Sequence, residues 1–293
     1  MVRYFLRFSY IGSQYRGAAK SVRGKIVQDT DTIQGALQLA FLSLRPKTQI
    51  FPSVHMSSRT DAGVHALNAT AHVELQTSYC PDFLLSQINR YFIKCNHNIR
   101  LLEAIPVTEK FSSRYTVKQR TYLYRLMKAK EPNEFRVPII EMQHTFNLRS
   151  EDHFDVESVK KATQLFVGLR DFTTFCAKHE SNKPIRYVRE LYGLSIEEAQ
   201  PLMPFDELSK NFNYWNITCT ARSFLYNQVR RIVAALIGVG TGRVTQKDVQ
   251  VMLQVPGHHN WDKRLQTVPA FGLHLLKIEY DQNEIDECTI KPE

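Results

Sequence analysis

Alternation between hydrophobic and polar positions predicts the strands of this chain. The opening segment VRYFLRFSY alternates and is rich in β-prone aromatic residues, which predicts a strand over residues 2–10. The same alternation predicts a strand over residues 214–220. Further strands are expected at residues 70–75, 100–104, 121–127 and 273–280.

Apolar residues that recur every three or four positions predict the helices. The first helix is expected over residues 32–44, with Asp31 or Thr32 as its N-cap. Its apolar face would consist of Ile33, Leu37, Ala40, Phe41 and Leu44. Other helices are expected at residues 81–92, at residues 156–166 before Gly168, and at residues 225–237 before Gly238 and Gly240.

The order of these elements predicts an α+β fold. Strand–helix–strand patterns occur in both halves of the chain, which indicates a largely antiparallel sheet flanked by helices. Neither a sequence repeat nor a low-complexity linker is visible. We expect an N-terminal domain over residues 1–108, a C-terminal domain over residues 109–281, and a tail over residues 282–293.

Composition indicates a globular protein with an anionic partner. The chain has 293 residues, of which 43% are hydrophobic, so a proper core is expected rather than disorder. Its 38 basic and 29 acidic side chains give a net charge of +9. Such a surplus favours binding to nucleic acid, because each neutralised phosphate releases counterions.

Cysteine and histidine spacing predicts neither a disulfide framework nor a metal site. The five cysteines contain no CxxC pair and the ten histidines no HExxH spacing, which indicates a reducing, intracellular compartment. The longest apolar run, residues 232–239, is about half of the roughly 20 residues that a membrane span requires. The six basic and no acidic residues among the first 28 are weakly similar to a mitochondrial presequence, so mitochondrial and cytoplasmic locations both stay open.

The segment SRTDAGVHA, residues 58–66, carries the strongest candidate chemistry. Asp-Ala-Gly is typical of a turn in which the aspartate bonds its own backbone. The neighbouring Arg59, Thr60 and His65 are more polar groups than a turn requires. On the residues alone, a structural turn and a catalytic carboxylate at Asp61 both stay open.

RTDAGVHA resembles the signature of the TruA family of tRNA pseudouridine synthases, which implies that Asp61 is the catalytic nucleophile. SRYTVKQRTYLYRL resembles the family segment whose tyrosine stacks on the target base, here Tyr122. SFLYNQVRRIVAALIGVG resembles the helix that supplies the arginine paired with the aspartate, here Arg230. VPAFGLHLLKIEY resembles the closing strand, which places Leu273 in the uracil pocket. Arg59 would hold the RNA backbone beside the flipped nucleotide.

Two departures from the family pattern stand out. In GLRDFTTF, Arg170 replaces the usual histidine. The family opening DGTxYxGWQ is replaced by YIGSQYRGAA at residues 10–19, a form closer to the animal tRNA pseudouridine synthase-like branch. Residues 12–30 are expected to form a long, exposed, phosphate-facing loop that includes Lys20, Arg23 and Lys25.

The resemblance implies an isomerase that forms pseudouridine in tRNA or another RNA without a guide RNA, a metal or a cofactor. It also implies a homodimer, action on the anticodon arm, and a central RNA-binding cleft. Basic residues interleaved with tyrosines at residues 114–130 and 183–189 would line this cleft.

Two other functions stay open. The first is a catalytically silent RNA-binding or RNA-chaperone protein with the same fold. The second is a carboxylate-dependent glycosidase or nucleosidase, a class that usually needs a second acid paired with the first. No Asp or Glu recurs within a motif that would supply that second acid.

Overall fold

The computed structural model describes residues 1–20, 29–46, 49–149, 151, 153–178 and 184–290. The chain forms two compact units. Unit 1 consists of Met1–Arg120 and His274–Glu293, and unit 2 consists of Thr121–Leu273. The two units are described separately below.

The described residues contain ten strands and six α-helices. The strands are β1 Val2–Tyr10, β2 Ser53–Met56, β3 His65–Leu75, β4 Ile99–Val107, β5 Val117–Ala129, β6 Phe146–Leu148, β7 Gly168–Asp171, β8 Val188–Glu198, β9 Phe212–Ala221 and β10 Leu273–Tyr280. The helices are α1 Ile33–Leu42, α2 Pro81–Lys94, α3 Val156–Thr163, α4 Gln228–Gly240, α5 Gln246–Gln254 and α6 Gln282–Cys288.

Unit 1 is built around β1, which is buried along most of its length. This strand pairs antiparallel with β3 on one side and β4 on the other, so that Leu6 lies opposite both Ala71 and Ala104. Strand β2 pairs antiparallel with β3, and β10 pairs parallel with β3 where His274 lies beside His65. The side chain of Thr32 caps α1 by accepting a hydrogen bond from the Gly35 amide.

Unit 2 contains a second set of paired strands. Its order is β5, β9, β8, β7, with antiparallel pairing between β7 and β8 and between β8 and β9, and with β6 parallel to β5. The carboxylate of Asp155 caps α3, and Thr245 and Asp248 form a reciprocal capping box at the start of α5.

The predicted α+β class and the mostly antiparallel pairing are confirmed. The helix expected over residues 225–237 spans Gln228–Gly240, so it begins and ends three residues later than predicted, and Gly240, one of the two glycines expected to stop it, is its last residue. These glycines serve packing: a Cβ on Gly240 would lie 2.6 Å from the Phe154 ring and 2.7 Å from a Val159 methyl group. Strands β2, β6, β7 and β8 and helix α5 were not predicted.

The compact units differ from the division expected at residue 108. Strand β4 and the segment after it belong to unit 1 as far as Arg120, and the chain returns to unit 1 at His274. Residues 282–288, expected as a tail, form α6. The helix is held because Ile285 packs with Phe5, Val107 and Phe111 in a buried cluster.

All five cysteines are free thiols, and two of them, Cys176 and Cys219, are buried. Over the residues that the structure describes, no helix combines the length and apolar character needed to cross a membrane.

His72, on β3, is a buried imidazole whose surroundings favour the neutral form. Its Nδ1 accepts a hydrogen bond from the Ser113 amide at 3.2 Å and lies 2.9 Å from the Ser113 hydroxyl. Its ring stacks on His55 with centroids 4.7 Å apart. Burial, followed by the charges of His55 and Arg3, lowers the pKa of His72 to about 4.

This lowered pKa makes unit 1 sensitive to acid. The folded state resists protonation of His72. The neutral imidazole therefore contributes to the free energy of unfolding in full above pH 6.5, and this contribution is lost as the pH falls towards 4. We expect this contribution to be on the order of 2 kcal/mol. In urea unfolding at pH 7 and pH 5, the His72→Asn variant, which keeps an acceptor near Nδ1, should lose less stability than the wild type. The exposed His153→Asn variant is the control, and equal losses in all three proteins would contradict the assignment.

Candidate active site

Asp61 lies in the loop that joins β2 to β3, and its side chain is partly buried. The Val64 amide donates to the Asp61 carbonyl at 3.2 Å, and Gly63 adopts a positive φ of 79°. The Asp-Ala-Gly segment is therefore the turn that its composition predicts. That turn fixes the backbone from which the Asp61 carboxylate projects.

The N-terminal segment holds this loop by close backbone contact. A Cβ on Gly12 would lie 1.9 Å from the Val64 carbonyl oxygen, so only glycine fits there. The Ala18 amide donates to the Thr60 carbonyl at 3.0 Å, and the hydroxyls of Tyr10 and Thr60 lie 2.7 Å apart. The loop is thus pinned on both sides of Asp61.

These contacts correct the prediction of a fully exposed loop over residues 12–30. Gly12, Tyr15, Gly17 and Ala18 are buried, because they cover the Asp61 loop. The Lys20 ammonium lies 5.4 Å from the centroid of the Phe51 ring. Arg23 and Lys25 lie outside the described residues.

His65 is the first residue of β3, directly after the loop that carries Asp61. Its Nδ1 accepts a hydrogen bond from the Gly12 amide at 3.1 Å, which places the ring proton of the neutral form on Nε2. The ring is buried and stacks on His274 with centroids 4.8 Å apart. This arrangement lets His65 shape the loop that carries Asp61. Arg59, on the same loop, has an exposed side chain.

In unit 2, Tyr122 lies on β5 and is 6% exposed. Its ring meets the edge of Phe224 at a centroid distance of 5.2 Å and an interplanar angle of 89°. Such edge-to-face packing fixes the plane of the tyrosine ring. Leu273, the first residue of β10, is also buried.

Arg230 lies in the first turn of α4 and is held by two hydrogen bonds. Its Nε donates to the Val268 carbonyl at 2.8 Å, and its Nη1 donates to the Asn227 Oδ1 at 2.9 Å. Asn227 itself has a left-handed backbone, with φ of 57°, a conformation that asparagine tolerates better than most residues. A cation is disfavoured at a helix N-terminus, so these two acceptors offset the helix dipole.

Tyr124 was not predicted as a site residue, yet it contacts the segment of backbone that Arg230 also contacts. Its hydroxyl donates to the Pro269 carbonyl at 2.9 Å, and a Cβ on Gly272 would lie 2.6 Å from its ring. Burial raises the pKa of Tyr124, and the nearby charge of Arg230 acts in the opposite direction. The segment 268–273 is therefore contacted by both Tyr124 and Arg230. The alternation of TYLYRL, which puts Tyr122 and Tyr124 on one face, is the sequence signal for this residue.

The basic stretches expected to contact RNA are only partly available for that role. Arg125 is buried and ion-paired with Glu141, and Lys118 pairs with Asp281 at 2.6 Å. Arg120 donates to the Ser57 carbonyl at 2.7 Å. Lys183 lies outside the described residues. Arg114 and Tyr115, by contrast, are exposed.

Residues 162–281 match the family model described as tRNA pseudouridine synthase, a class of RNA-modifying isomerases. The human protein named tRNA pseudouridine synthase-like 1 is 32% identical to this chain, over 99% of this chain and 93% of the relative. The Xenopus laevis protein of the same name is 30% identical, over 97% and 93%. The protein named tRNA pseudouridine synthase A from Agrobacterium fabrum is 28% identical, over 96% and 93%. The chain therefore belongs to the tRNA pseudouridine synthase family.

The contact between Gly12 and Val64 predicts a strong effect of a single methyl group. Gly12→Ala puts a Cβ against a backbone carbonyl that has no room to yield, so the Asp61 loop must move. We expect the free energy of unfolding to fall by about 1–3 kcal/mol, as measured by urea denaturation. Hydrogen exchange at the Val64 amide should also become faster. Gly193→Ala is the matched control, since a Cβ there meets no atom within 4 Å, and equal stability of the two variants would refute the close approach.

Proposed function

We propose that this chain converts uridine into pseudouridine in the anticodon arm of tRNA, with Asp61 as the nucleophile. One observation carries the proposal: in a chain of this family, Asp61 occupies the SRTDAGVHA loop, and that loop is held by contacts on both sides. Because the backbone on both sides is fixed, the carboxylate needs little reorganisation before it reacts.

The chemistry needs a carboxylate and no redox partner. The C1′–N1 glycosidic bond breaks, the uracil turns, and a C1′–C5 bond forms. C5 loses its proton and N1 gains one, so the atoms of substrate and product balance without a cofactor. A carboxylate suits this reaction because it can add to an electrophilic carbon and leave again.

Tyr122 is proposed to stack on the target uracil. The base must leave the RNA stack, at a cost of a few kcal/mol. Stacking on an aromatic ring returns about 1–3 kcal/mol of that cost. Phe224 holds the Tyr122 ring in one orientation before RNA binds, which lowers the entropy lost on binding. Leu273 would add an apolar wall to the same pocket.

Arg230 is proposed as the cation that pairs with the catalytic carboxylate. Its hydrogen bonds to Val268 and Asn227 use Nε and Nη1, so the guanidinium is already oriented within unit 2. A positioned guanidinium favours the ionised carboxylate, which is the nucleophilic form. Arg59, exposed on the Asp61 loop, would contact the RNA backbone.

The Asp61→Asn variant tests the nucleophile and separates this proposal from a silent RNA-binding protein. We expect pseudouridine formation on an unmodified tRNA transcript to fall at least about a thousandfold, because the amide is not a nucleophile. Product is measured by chemical adduct mapping, which also identifies the modified uridine. RNA binding, measured by fluorescence anisotropy, should remain close to that of the wild type.

Asp82→Asn is the matched control, because Asp82 is an exposed aspartate in the first turn of α2. Full activity of Asp61→Asn would exclude Asp61 as the nucleophile. An inactive wild type that still binds tRNA would support the silent RNA-binding alternative. Product at a uridine outside the anticodon arm would exclude the proposed target.

We further propose that the protein is a homodimer joined through an apolar surface of unit 2. This surface consists of exposed side chains on two loops: Phe135, Ile139, Ile140 and Met142 on the first, and Leu202, Met203 and Phe205 on the second. Each of these seven side chains is large and at least 43% exposed, and an exposed apolar patch of this kind marks a protein interface.

Buried polar contacts join the two loops into one surface. The carboxylate of Glu141, which is fully buried, accepts a hydrogen bond from the Leu202 amide at 2.6 Å and pairs with Arg125. The side chain of Asn211 donates to the Glu134 carboxylate at 2.8 Å. These contacts therefore fix the backbone that carries the apolar side chains.

The charges beside the apolar surface favour a second copy over RNA. Arg136 pairs with Glu134 at 2.6 Å, and Lys210 pairs with Glu207 at 2.9 Å. Each loop thus carries both signs in a chain whose net charge is +9. A polyanion gains little at such a surface, whereas a two-fold interface needs a patch that complements itself.

The double variant Ile139→Asp/Phe205→Asp should be a monomer, because it buries carboxylates in the centre of the interface. Light scattering after size-exclusion chromatography measures the mass, with the wild type expected at twice the chain mass. Ile93→Asp, at an exposed position of α2 in unit 1, is the control and should remain dimeric. A monomeric wild type would overturn the assignment.

A further inference from the structure

Two arginines lie opposite each other at the β7 edge of the unit 2 strands. In the antiparallel register of β7 and β8, Arg170 is the direct partner of Arg189. Directly opposed residues project from the same face, and like charges in such a pair repel. Arg170 is exposed, and its Nε donates to the Leu165 carbonyl at 3.3 Å.

A third arginine approaches the same region from α4. Arg231 donates through Nη1 to the carbonyls of Thr174 at 2.8 Å and Cys176 at 3.0 Å. Its guanidinium lies 4.8 Å from the centroid of the Trp261 ring. The charges of both Arg189 and Arg231 lower the pKa of the Cys176 thiol, against the larger effect of burial. The Cys176 carbonyl that accepts from Arg231 also lies 3.0 Å from His258 Nδ1, and His258 Nε2 lies 3.3 Å from the Tyr187 hydroxyl, so Arg231 lies beside the segment that leads into β8.

Neither Arg189 nor Arg231 has an acidic partner among the described residues. Arg189 donates through Nη1 only to the carbonyls of Arg186 and Val188. Partial burial is the largest influence on both guanidinium groups and lowers the pKa of each. Within the described part of the chain, the Nε atom of each is buried and has no hydrogen-bond partner. Partly buried cations without a counterion are costly, which indicates that an anion completes the cluster.

The scaffold around these arginines is ordered by further polar contacts. The two contacts of His258 join the Cys176 carbonyl to the Tyr187 hydroxyl. Exposed Lys178 and Arg186 add positive charge on the neighbouring segments. The region is therefore a fixed group of cations.

We propose that Arg170, Arg189 and Arg231 bind one phosphodiester of the substrate RNA, at a site separate from the residues assigned to the reaction. The proposal rests on the proposed function for the source of the phosphate. Guanidinium groups suit this ligand because their paired N–H donors match two phosphate oxygens. The bound phosphate would also remove the repulsion between Arg170 and Arg189. This site would position the RNA and leave the bond-making steps to other groups.

The Arg170→Gln/Arg189→Gln variant tests the site by tRNA binding at several salt concentrations. We expect the Kd at about 0.1 M salt to rise roughly tenfold and the slope of log Kd against log salt to fall by about 1, as for one lost phosphate contact. The melting temperature should equal or exceed that of the wild type, since two repelling charges are gone. The rate at saturating tRNA should be unchanged. Arg170→Lys/Arg189→Lys should keep the wild-type salt slope, because both charges remain, but should recover only part of the affinity, because an ammonium group cannot form the paired contact.

Arg149→Gln, an exposed arginine of unit 2, is the matched control and should bind tRNA like the wild type. Wild-type affinity and an unchanged salt slope in the double glutamine variant would overturn the proposal. A loss of affinity together with a lower melting temperature would also count against it, because it would show a structural role. If the wild type forms no pseudouridine but the binding loss is found, the proposed function fails and the phosphate site stands.

Discussion

The candidate active site depends on a backbone approach that only glycine allows. Gly12 lies against the Val64 carbonyl, and its amide donates to His65 Nδ1. The segment after β1 and the Asp61 loop are therefore in close contact at Gly12. This contact converts an ordinary Asp-Ala-Gly turn into a fixed support for a carboxylate. The position of the proposed nucleophile and the stability of the chain are therefore coupled at Gly12.

In unit 2 the equivalent support comes from the segment 268–273. Arg230 and Tyr124 both donate to its carbonyls, and Gly272 allows the Tyr124 ring to pack against it. The aromatic and cationic groups are oriented by the same short stretch of backbone. This arrangement brings a strand and a helix that are distant in sequence to one short stretch of backbone.

Sequence patterns predicted long elements with regular periodicity well and short or irregular ones poorly. Strand β1 has nine residues and β9 has ten, whereas β7 has only four residues and β8 mixes buried and exposed positions irregularly. The end of α4 was misplaced because Gly240 serves helix packing against Phe154, which local propensity cannot reveal. At the site, spacing alone left a structural turn and a catalytic carboxylate both open for Asp61, and the motif resemblance favoured the carboxylate. Tyr124 was missed because its contacts involve residues about 145 positions away.

The order of the chain has a consequence for how this protein is made. Strand β10 pairs with β3, and Ile285 of α6 completes a cluster with Phe5 and Phe111, yet both elements follow all of unit 2 in the sequence. During synthesis, every residue of unit 2 is added before the residues that complete the strands of unit 1. Unit 1 therefore stays incomplete while unit 2 is synthesised. The hydrophobic surface that β10 and α6 later cover is accessible to chaperones during this time.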